Sequence, residues 1–506
     1  MHIKFTTANQ TSKPVLAVPV SKGKKMPAAI RKLLPAGLVT QLDKIAKSAA
    51  AFEGEKDQFL WAHHVKNGTA ISSVLLYGIG DEASFDAIQD SQKTGGQLFV
   101  NLNAYGTKDA TIMMAPVMDA AQCALGAKLR AYHFDNYKTK DKEKALPKLK
   151  SLAFATEAAK QAQKDWASLD GIANAVYLAR DLMNQPPNIC TPANFVKTAR
   201  ATMKDLPVKF TVLNEDKIHA LGMGAIEAVG RGSRNASHVL IAEYNGLGTA
   251  AKGKAKSKPI ALVGKGVTFD TGGYNLKPGS SPFGMMGDMK YDMGGAAAVI
   301  GALMALANAG VKQHVVAIVG LVENLIDEDA YLPGEVITTM SGQTVEIVDT
   351  DAEGRLVLAD LLTHVQKEYD PSVIIDIATL TGAILIALGQ NYAGLFSNDD
   401  KLADGLFKAG QEIGEKCWRL PLDAATPATL KSSIADLVNV EPSRLGGASF
   451  AASFIHQFVD KDRAWAHLDI AGLMKANGSN PICPAGAMGY GVRLLYQYVV
   501  DNATNG

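Results

Sequence analysis

Short apolar runs of strand length punctuate the first third of the chain, at residues 15–20, 72–77 and 111–117. Between them lie stretches with helical spacing of Ala and Leu, such as residues 38–51, so the pattern predicts a mixed α/β region. Residues 165–183 read as a long helix. It is stopped by Asn184-Gln185-Pro186-Pro187, because a proline disfavours helical conformation in the residue before it. The domain boundary is expected around that helix, giving an N-terminal domain over 1–165, a linker helix and stop over 166–187, and a larger domain over 188–506. Beyond the helix, apolar strands are predicted at 239–244, 260–264, 314–321, 345–348 and 373–378, with helices at 294–310 and about 355–368. Strands without polar alternation, separated by helices, predict a largely parallel sheet covered on both faces. Residues 245–259, rich in Gly, Ala and Lys, read as an exposed loop.

Composition narrows the class. The 506 residues are 47% hydrophobic and 20% charged, enough for sizeable cores in more than one domain. Residues 1–14 are polar, without the apolar centre of a signal peptide. No apolar run is long enough to span a bilayer, and the longest, 294–310, reads as a buried helix. Cys123, Cys190, Cys417 and Cys483 are scattered, with no CxxC pair, so reduced, buried thiols in a cytoplasmic protein without a membrane partner are expected. The net charge of +1 is unevenly spread: residues 1–165 hold 23 Lys and Arg against 15 Asp and Glu, most densely at 137–150. A solvated surface explains that excess. The alternative reading, a non-catalytic or moonlighting protein binding nucleic acid through its basic N-terminal domain, rests on the charge alone and lacks interleaved aromatics. His63-His64 is the one tempting pair there, but adjacent side chains on a regular element point apart.

Ligands of open α/β sheets sit beyond the carboxyl ends of the strands, and three predicted strands deliver unusual residues there. After 260–264 come Lys265, Asp270, Lys277 and, at the next helix start, Asp292. After 345–348 come Asp349, Asp351, Glu353 and Arg355; after 373–378 comes Thr379-Leu380-Thr381-Gly382. If those strands are neighbours, four carboxylates converge, and such a group stays ionised only with strong compensation. Two lysines and an arginine supply part of it, and divalent cations are the natural remainder. Each piece has a plainer explanation. Thr350-Asp-Ala-Glu353 matches a helix capping box, the better bet on that segment alone. Asp270-Thr-Gly-Gly suits a turn, and Asp288 suits loop surface. A phosphate loop at Lys265 fails, because Gly266 replaces the required hydroxyl residue and Pro259 the leading glycine.

Val348-Asp-Thr-Asp-Ala-Glu-Gly-Arg-Leu356 closely resembles the signature of the leucyl (cytosol) aminopeptidases of bacterial aminopeptidase A type. Val263-Gly-Lys-Gly-Val-Thr-Phe-Asp-Thr-Gly-Gly273, Leu276-Lys-Pro278 and Met289-Lys-Tyr-Asp-Met-Gly-Gly-Ala-Ala297 resemble the same family's metal-binding segments. Further likeness runs through Arg180-Asp-Leu-Met-Asn184, Asp376-Ile-Ala-Thr-Leu-Thr-Gly-Ala383, Trp465-Ala-His-Leu-Asp-Ile-Ala-Gly472 and Gly489-Tyr-Gly-Val-Arg493, covering roughly the last two-thirds of the chain. The resemblance implies a macro-like N-terminal domain, a larger α/β catalytic domain and a homohexamer acting on peptides. It implies two divalent metal ions per subunit, Mn or Zn, with Mg or Co as substitutes. Asp270 and Glu353 would bridge the ions, Lys265 and Asp292 complete one site, and Asp351 the other. Lys265, as a ligand, would have a depressed pKa. Lys277 would polarise the scissile carbonyl for attack by an activated water, and Arg355 would hold bicarbonate as the catalytic anion. Met289, Thr379, Leu380 and Gly382 would line a pocket for Leu or Met side chains. Two features depart from the family: Asp349 stands where the signature has Asn, and the segment 277–292, containing Gly279-Ser-Ser-Pro-Phe-Gly284, is several residues longer.

Overall fold

The apolar runs of the first third form strands, as their pattern predicts. A computed structural model describes residues 1–7, 15–67, 70–140, 146–248, 258–281, 284–423, 426–441 and 445–503 of the chain. One unit comprises Met1–Ala173 with Asn477–Ala485, and a second comprises Asn174–Ala476 with Gly486–Gly506. The predicted loop 245–259, the basic stretch 137–150 and the long segment after Lys277 each fall partly outside the described residues.

The first unit carries six strands: β1 (His2–Thr6), β2 (Val15–Ser21), β3 (Phe59–Asn67), β4 (Ala70–Gly80), β5 (Asp109–Met113) and β6 (Ser151–Ala155). They lie in the order β1-β6-β5-β2-β4-β3, parallel throughout except for the antiparallel β3 at one edge. The strand expected to reach residue 117 ends at Met113. Pro116, with no N–H to give, cannot continue a ladder. The helix α1 (Ala36–Ser48) buries Leu38, Val39 and Leu42 in this unit's core. His63 and His64 sit at an irregularity of β3, where the register shifts between Ala62 and Val65 and His64 takes φ +57°. His63 stacks near Trp61 and Tyr105. The helix α2 (Ala159–Asn184) runs across the division between the units.

The second unit holds the larger sheet. Its strands are β7 (Val208–Leu213), β8 (His238–Asn245), β9 (Ile260–Asp270), β10 (His314–Asn324), β13 (Val373–Ala378), β14 (Ala393–Ser397), β15 (Cys417–Arg419) and β17 (Ala464–Asp469). A separate small sheet joins β11 (Val336–Thr338), β12 (Thr344–Glu346) and β16 (Leu437–Val438). The large sheet runs β15-β14-β17-β13-β9-β10-β8-β7. Its centre, β17-β13-β9-β10, is parallel, while β8, β7 and β14 attach antiparallel. The central strands are fully buried along most of their length, as β-branched runs such as Val373-Ile-Ile require. Two helices pack on β9 and its neighbours: α3 (Gly294–Ala309) and α4 (Glu353–Tyr369). The first is apolar on every side and correspondingly buried, and it ends at Gly310, whose φ of +63° lets its N–H reach back to Leu306 and Ala307. By length and composition Met286–Ala309 does meet the requirement for a membrane span, contrary to the sequence expectation, yet 89% of its apolar window is buried in the protein. It is a core helix. All four cysteines are free and buried, as expected.

Two placements differ from the sequence reading. The strand expected to end at Gly264 continues to Asp270, so Lys265 is an inward-facing strand residue rather than a loop residue. The apolar run 345–348 belongs to the small sheet and not to the parallel one, because only Thr344–Glu346 pairs, with β11 and β16. Asp351 and Glu353 therefore enter the site from the loop that opens α4.

Candidate metal centre

Asp270 closes β9, and its Oδ1 accepts from Gly272 N and from Asn324 Nδ2 at the end of β10, both at 2.8 Å. Gly272 and Gly273 take φ of +87° and +62°, which turns the chain so that Lys277 comes back over the strand end. A Cβ on Gly272 would come 2.7 Å from Asp351 Oδ1, so only glycine keeps both turn and carboxylate in place. The capping box that the segment suggests on its own does not form. Ala352 is the N-cap without a side-chain bond, and Thr350 Oγ1 donates to Gly272 O while accepting from Asn275 N. That hydroxyl pins the Asp351 loop to the Asp270 turn.

The side chains then converge. Lys265 Nζ lies 2.9 Å from Asp292 Oδ2 and 2.7 Å from Glu353 Oε1, and donates to Thr379 O at 2.9 Å. Lys277 Nζ lies 2.8 Å from Asp270 Oδ2 and 2.5 Å from Asp351 Oδ1. Thr379 Oγ1 donates to Asp292 Oδ1 at 2.7 Å. Gly354 makes the crossing possible: a Cβ there would sit 2.7 Å from Lys265 Cδ and 2.8 Å from its Nζ. One carboxylate oxygen from each of Asp270, Asp351 and Glu353 falls within 4.8 Å of the other two. Among the described residues Glu353 Oε2 is buried with no hydrogen-bond partner, and Asp292 Oδ2 and Asp351 Oδ1 meet their lysines in ion-pair range without aligned hydrogen bonds. Buried carboxylate oxygens left without directional donors are costly unless a further cation completes them.

Electrostatics say the same. Burial, reinforced by the neighbouring carboxylates, pushes Asp292, Asp351 and Glu353 above the ordinary range despite the two lysines. Burial alone would lower Lys265 and Lys277, but the surrounding carboxylates outweigh it and hold both above the usual lysine value. The depressed Lys265 pKa expected of an amine ligand is thus not what these partners produce by themselves. Arg355, at the start of α4, donates from Nη1 to Asn439 O at 2.7 Å, and burial lowers its pKa to about 10.

Every candidate residue lines one cavity of about 610 Å³: Lys265, Asp270, Lys277, Met289, Asp292, Asp351, Glu353, Arg355, Thr379, Leu380 and Gly382. Asp288 is not among them; it lies in the short 3-10 helix Met286–Tyr291 and pairs with Lys475 at 2.6 Å in a largely buried ion pair, not on the loop surface expected of it. Asn275, Asn324, Asn439 and Asp469 were missed. Asn324 ends a strand that reads as apolar only to residue 321, and its amide ties Asp270 to Thr350 O. Asp469 accepts from Leu380 N and Thr381 Oγ1 and so holds the Thr379–Gly382 loop. Its place in the quoted Trp465–Gly472 motif was the available signal. Asn439 has none.

A largely parallel α/β sheet with a carboxylate–lysine cluster gathered at its carboxyl edge has the build of an enzyme's active site. The comparisons make the class specific. Residues 177–496 match the cytosol aminopeptidase family, catalytic domain, and residues 17–141 match that family's N-terminal domain. The chain belongs to the cytosol aminopeptidase family, and its activity is that of a peptidase acting at peptide N-termini. It is 43% identical over 508 residues to a probable cytosol aminopeptidase of Bradyrhizobium sp., covering 99% of this chain and 98% of that one. It is 40% identical over 471 residues to a cytosol aminopeptidase of Rickettsia prowazekii, covering 91% of each. Among solved structures, the bottromycin maturation enzyme BotP in complex with Mn superposes with a TM-score of 0.82 at 30% identity, covering 97% of this chain and 99% of that one.

Proposed function

We propose that the protein is a metal-dependent exopeptidase that removes N-terminal residues, Leu- and Met-like ones preferentially, from peptides. The observation that carries this reading is the convergence of Asp270, Asp351 and Glu353, with a buried, unpartnered Glu353 oxygen among them. In this reading Asp270, Glu353, Lys265, Asp292 and Asp351 would hold two divalent cations, with Asp270 and Glu353 serving both. The Mn carried by the BotP relative supports a divalent ion here, Mn or Zn being the first choices. Bound cations supply a water of lowered pKa and polarisation of the peptide carbonyl.

The chain's own groups do the rest. Lys277, held charged over the cluster, donates to the oxygen on which negative charge develops. Arg355 keeps a cation beside the cluster for bicarbonate, the anion that would take the proton. Met289, Leu380 and the Thr379–Gly382 loop receive the first side chain. The cavity is also lined by Ala471 and Met474, and these apolar side chains favour Leu or Met over polar residues. The homohexamer and the cytoplasmic location implied by the resemblance belong to the same proposal.

Elemental analysis of the purified protein, paired with hydrolysis of leucine p-nitroanilide before and after chelation, tests the reading. Bound divalent metal and activity lost on chelation, then restored by Mn²⁺ or Zn²⁺, are expected; full activity without metal would overturn it.

A further inference from the structure

Two methionines of the cavity lining, Met289 and Met474, come from segments far apart in the chain. Each has a charged neighbour in sequence, and those two charges meet. Asp288 Oδ2 accepts from Lys475 Nζ at 2.6 Å, with the side chains only 17% and 26% exposed. Both segments are short. Met286–Tyr291 is a 3-10 helix, and Lys475–Ala476 is a two-residue strand paired antiparallel with Gly486–Ala487, Lys475 opposite Ala487. A 3-10 turn and a two-residue ladder have few backbone bonds to hold them, so side-chain ties decide where they sit.

Asn184, the last residue of α2, supplies a second tie between the same segments. Its Oδ1 accepts from Ala487 N at 3.2 Å and from Tyr291 Oη at 3.5 Å, and its backbone O accepts from Lys290 Nζ at 3.2 Å. Lys290, the other cation of the 3-10 helix, is thereby engaged, with its amine 5.0 Å from the centroid of the Tyr291 ring. We infer that the Asp288–Lys475 ion pair is a specificity-determining clasp, holding Met289 and Met474 at the spacing that selects the size of the substrate's first side chain. This rests on the aminopeptidase reading. Asp288 and Lys475 are positioning residues and act through the methionines beside them. A leucine side chain that reaches both methionines gains contacts from a wall of fixed spacing. A gap of about 0.5–1 Å forfeits about a quarter to a half of each such contact, whereas an alanine methyl is too short to feel the change. Loss of either partner leaves the other charge uncompensated and releases the clasp.

The test compares kcat/KM for leucine and alanine p-nitroanilides in the metal-loaded wild type, Asp288→Asn, Lys475→Gln, the double variant and Lys475→Arg. Wild type is expected to favour Leu over Ala. Each of the first two variants should lower the Leu/Ala ratio about fivefold while alanine turnover stays within about twofold of wild type. The double variant should fall no further than the singles, because a pair broken once has nothing more to lose. Lys475→Arg, which keeps the charge, should keep at least about half of the wild-type ratio. An unchanged ratio in both singles, a loss shared equally by the two substrates, or single effects that multiply in the double variant overturns this inference alone. A wild type without preference for Leu, or a ratio in Lys475→Arg as low as in Lys475→Gln, overturns it too. No hydrolysis of either substrate by the metal-loaded wild type overturns the aminopeptidase reading, and this inference with it.

Discussion

Lys265 and Lys277 have the same side chain and enter the same carboxylate cluster, yet they pair with different members of it and their surroundings assign them different work. Lys265 is buried in β9, threaded past Gly354, with Asp292, Glu353 and Thr379 O around its amine. Lys277 is partly exposed on a turn and reaches in from above. Lys277→Ala is therefore expected to cut kcat on leucine p-nitroanilide by about a hundredfold or more, the usual cost of losing one oxyanion donor, while metal content stays at the wild-type level. Loss of metal with little change in kcat per loaded site would assign it to the ligands instead. Gly354→Ala is expected to act through Lys265. A methyl group inside 3 Å of its amine forces the side chain aside, and a misplacement of about 1 Å in such a site costs about a hundredfold in rate. An unchanged urea midpoint beside that loss would separate the site from the fold.

At the scale of elements, the sequence shows where strands and helices lie better than it shows which of them are neighbours. The β-branched run Val373–Ala378 and the helix Gly294–Ala309, apolar but for Asn308, were legible almost to the residue, because burial on all sides leaves a continuous apolar signature. The extension of β9 to Asp270 was not, since Gly264, Lys265 and Gly266 read as a strand end when nothing in the chain reveals the partner strands. Membership of the small sheet was invisible for the same reason: β12 and β16 are three and two residues long and meet only in three dimensions. The carboxylates of the site were legible by residue type and spacing, whereas Asn324 and Asn439, which tie their loops, carry no pattern of their own.

Asp360, within α4, shows an element-level consequence. Its carboxylate accepts from Ala225 N and Ile226 N, at the start of a neighbouring short helix, and from Met340 N. Burial nevertheless raises its pKa from 3.8 to about 7. A carboxyl that binds its proton more tightly folded than unfolded contributes stability that is complete below the unfolded value and is lost as pH rises through the folded one. Asp360 should thus make the protein less resistant to urea as pH rises from about 4 to about 7. Asp360→Asn should remove that part of the slope. It should also cost about 1–3 kcal/mol, because one amide oxygen cannot serve three N–H donors on two sides. A variant with the wild-type pH profile would contradict the assignment.

At the scale of the whole molecule, the second unit gathers the chemistry at one edge of its sheet, while the excess of basic residues lies in the first third of the chain. The cluster would be a poor structural device. Three buried carboxylates and the partly exposed Asp351 against two lysines are held together at a cost that a hydrophobic core of the same volume would not bear. That cost is intelligible if the carboxylates exist to hold cations, and Glu353, with one oxygen on Lys265 and the other unpartnered, is where the claim is most exposed. The most direct test is the hydrolysis of leucine p-nitroanilide by Glu353→Ala, supplied with Mn²⁺ and shown by circular dichroism to be folded. The account predicts no detectable turnover; turnover at the wild-type rate would contradict it.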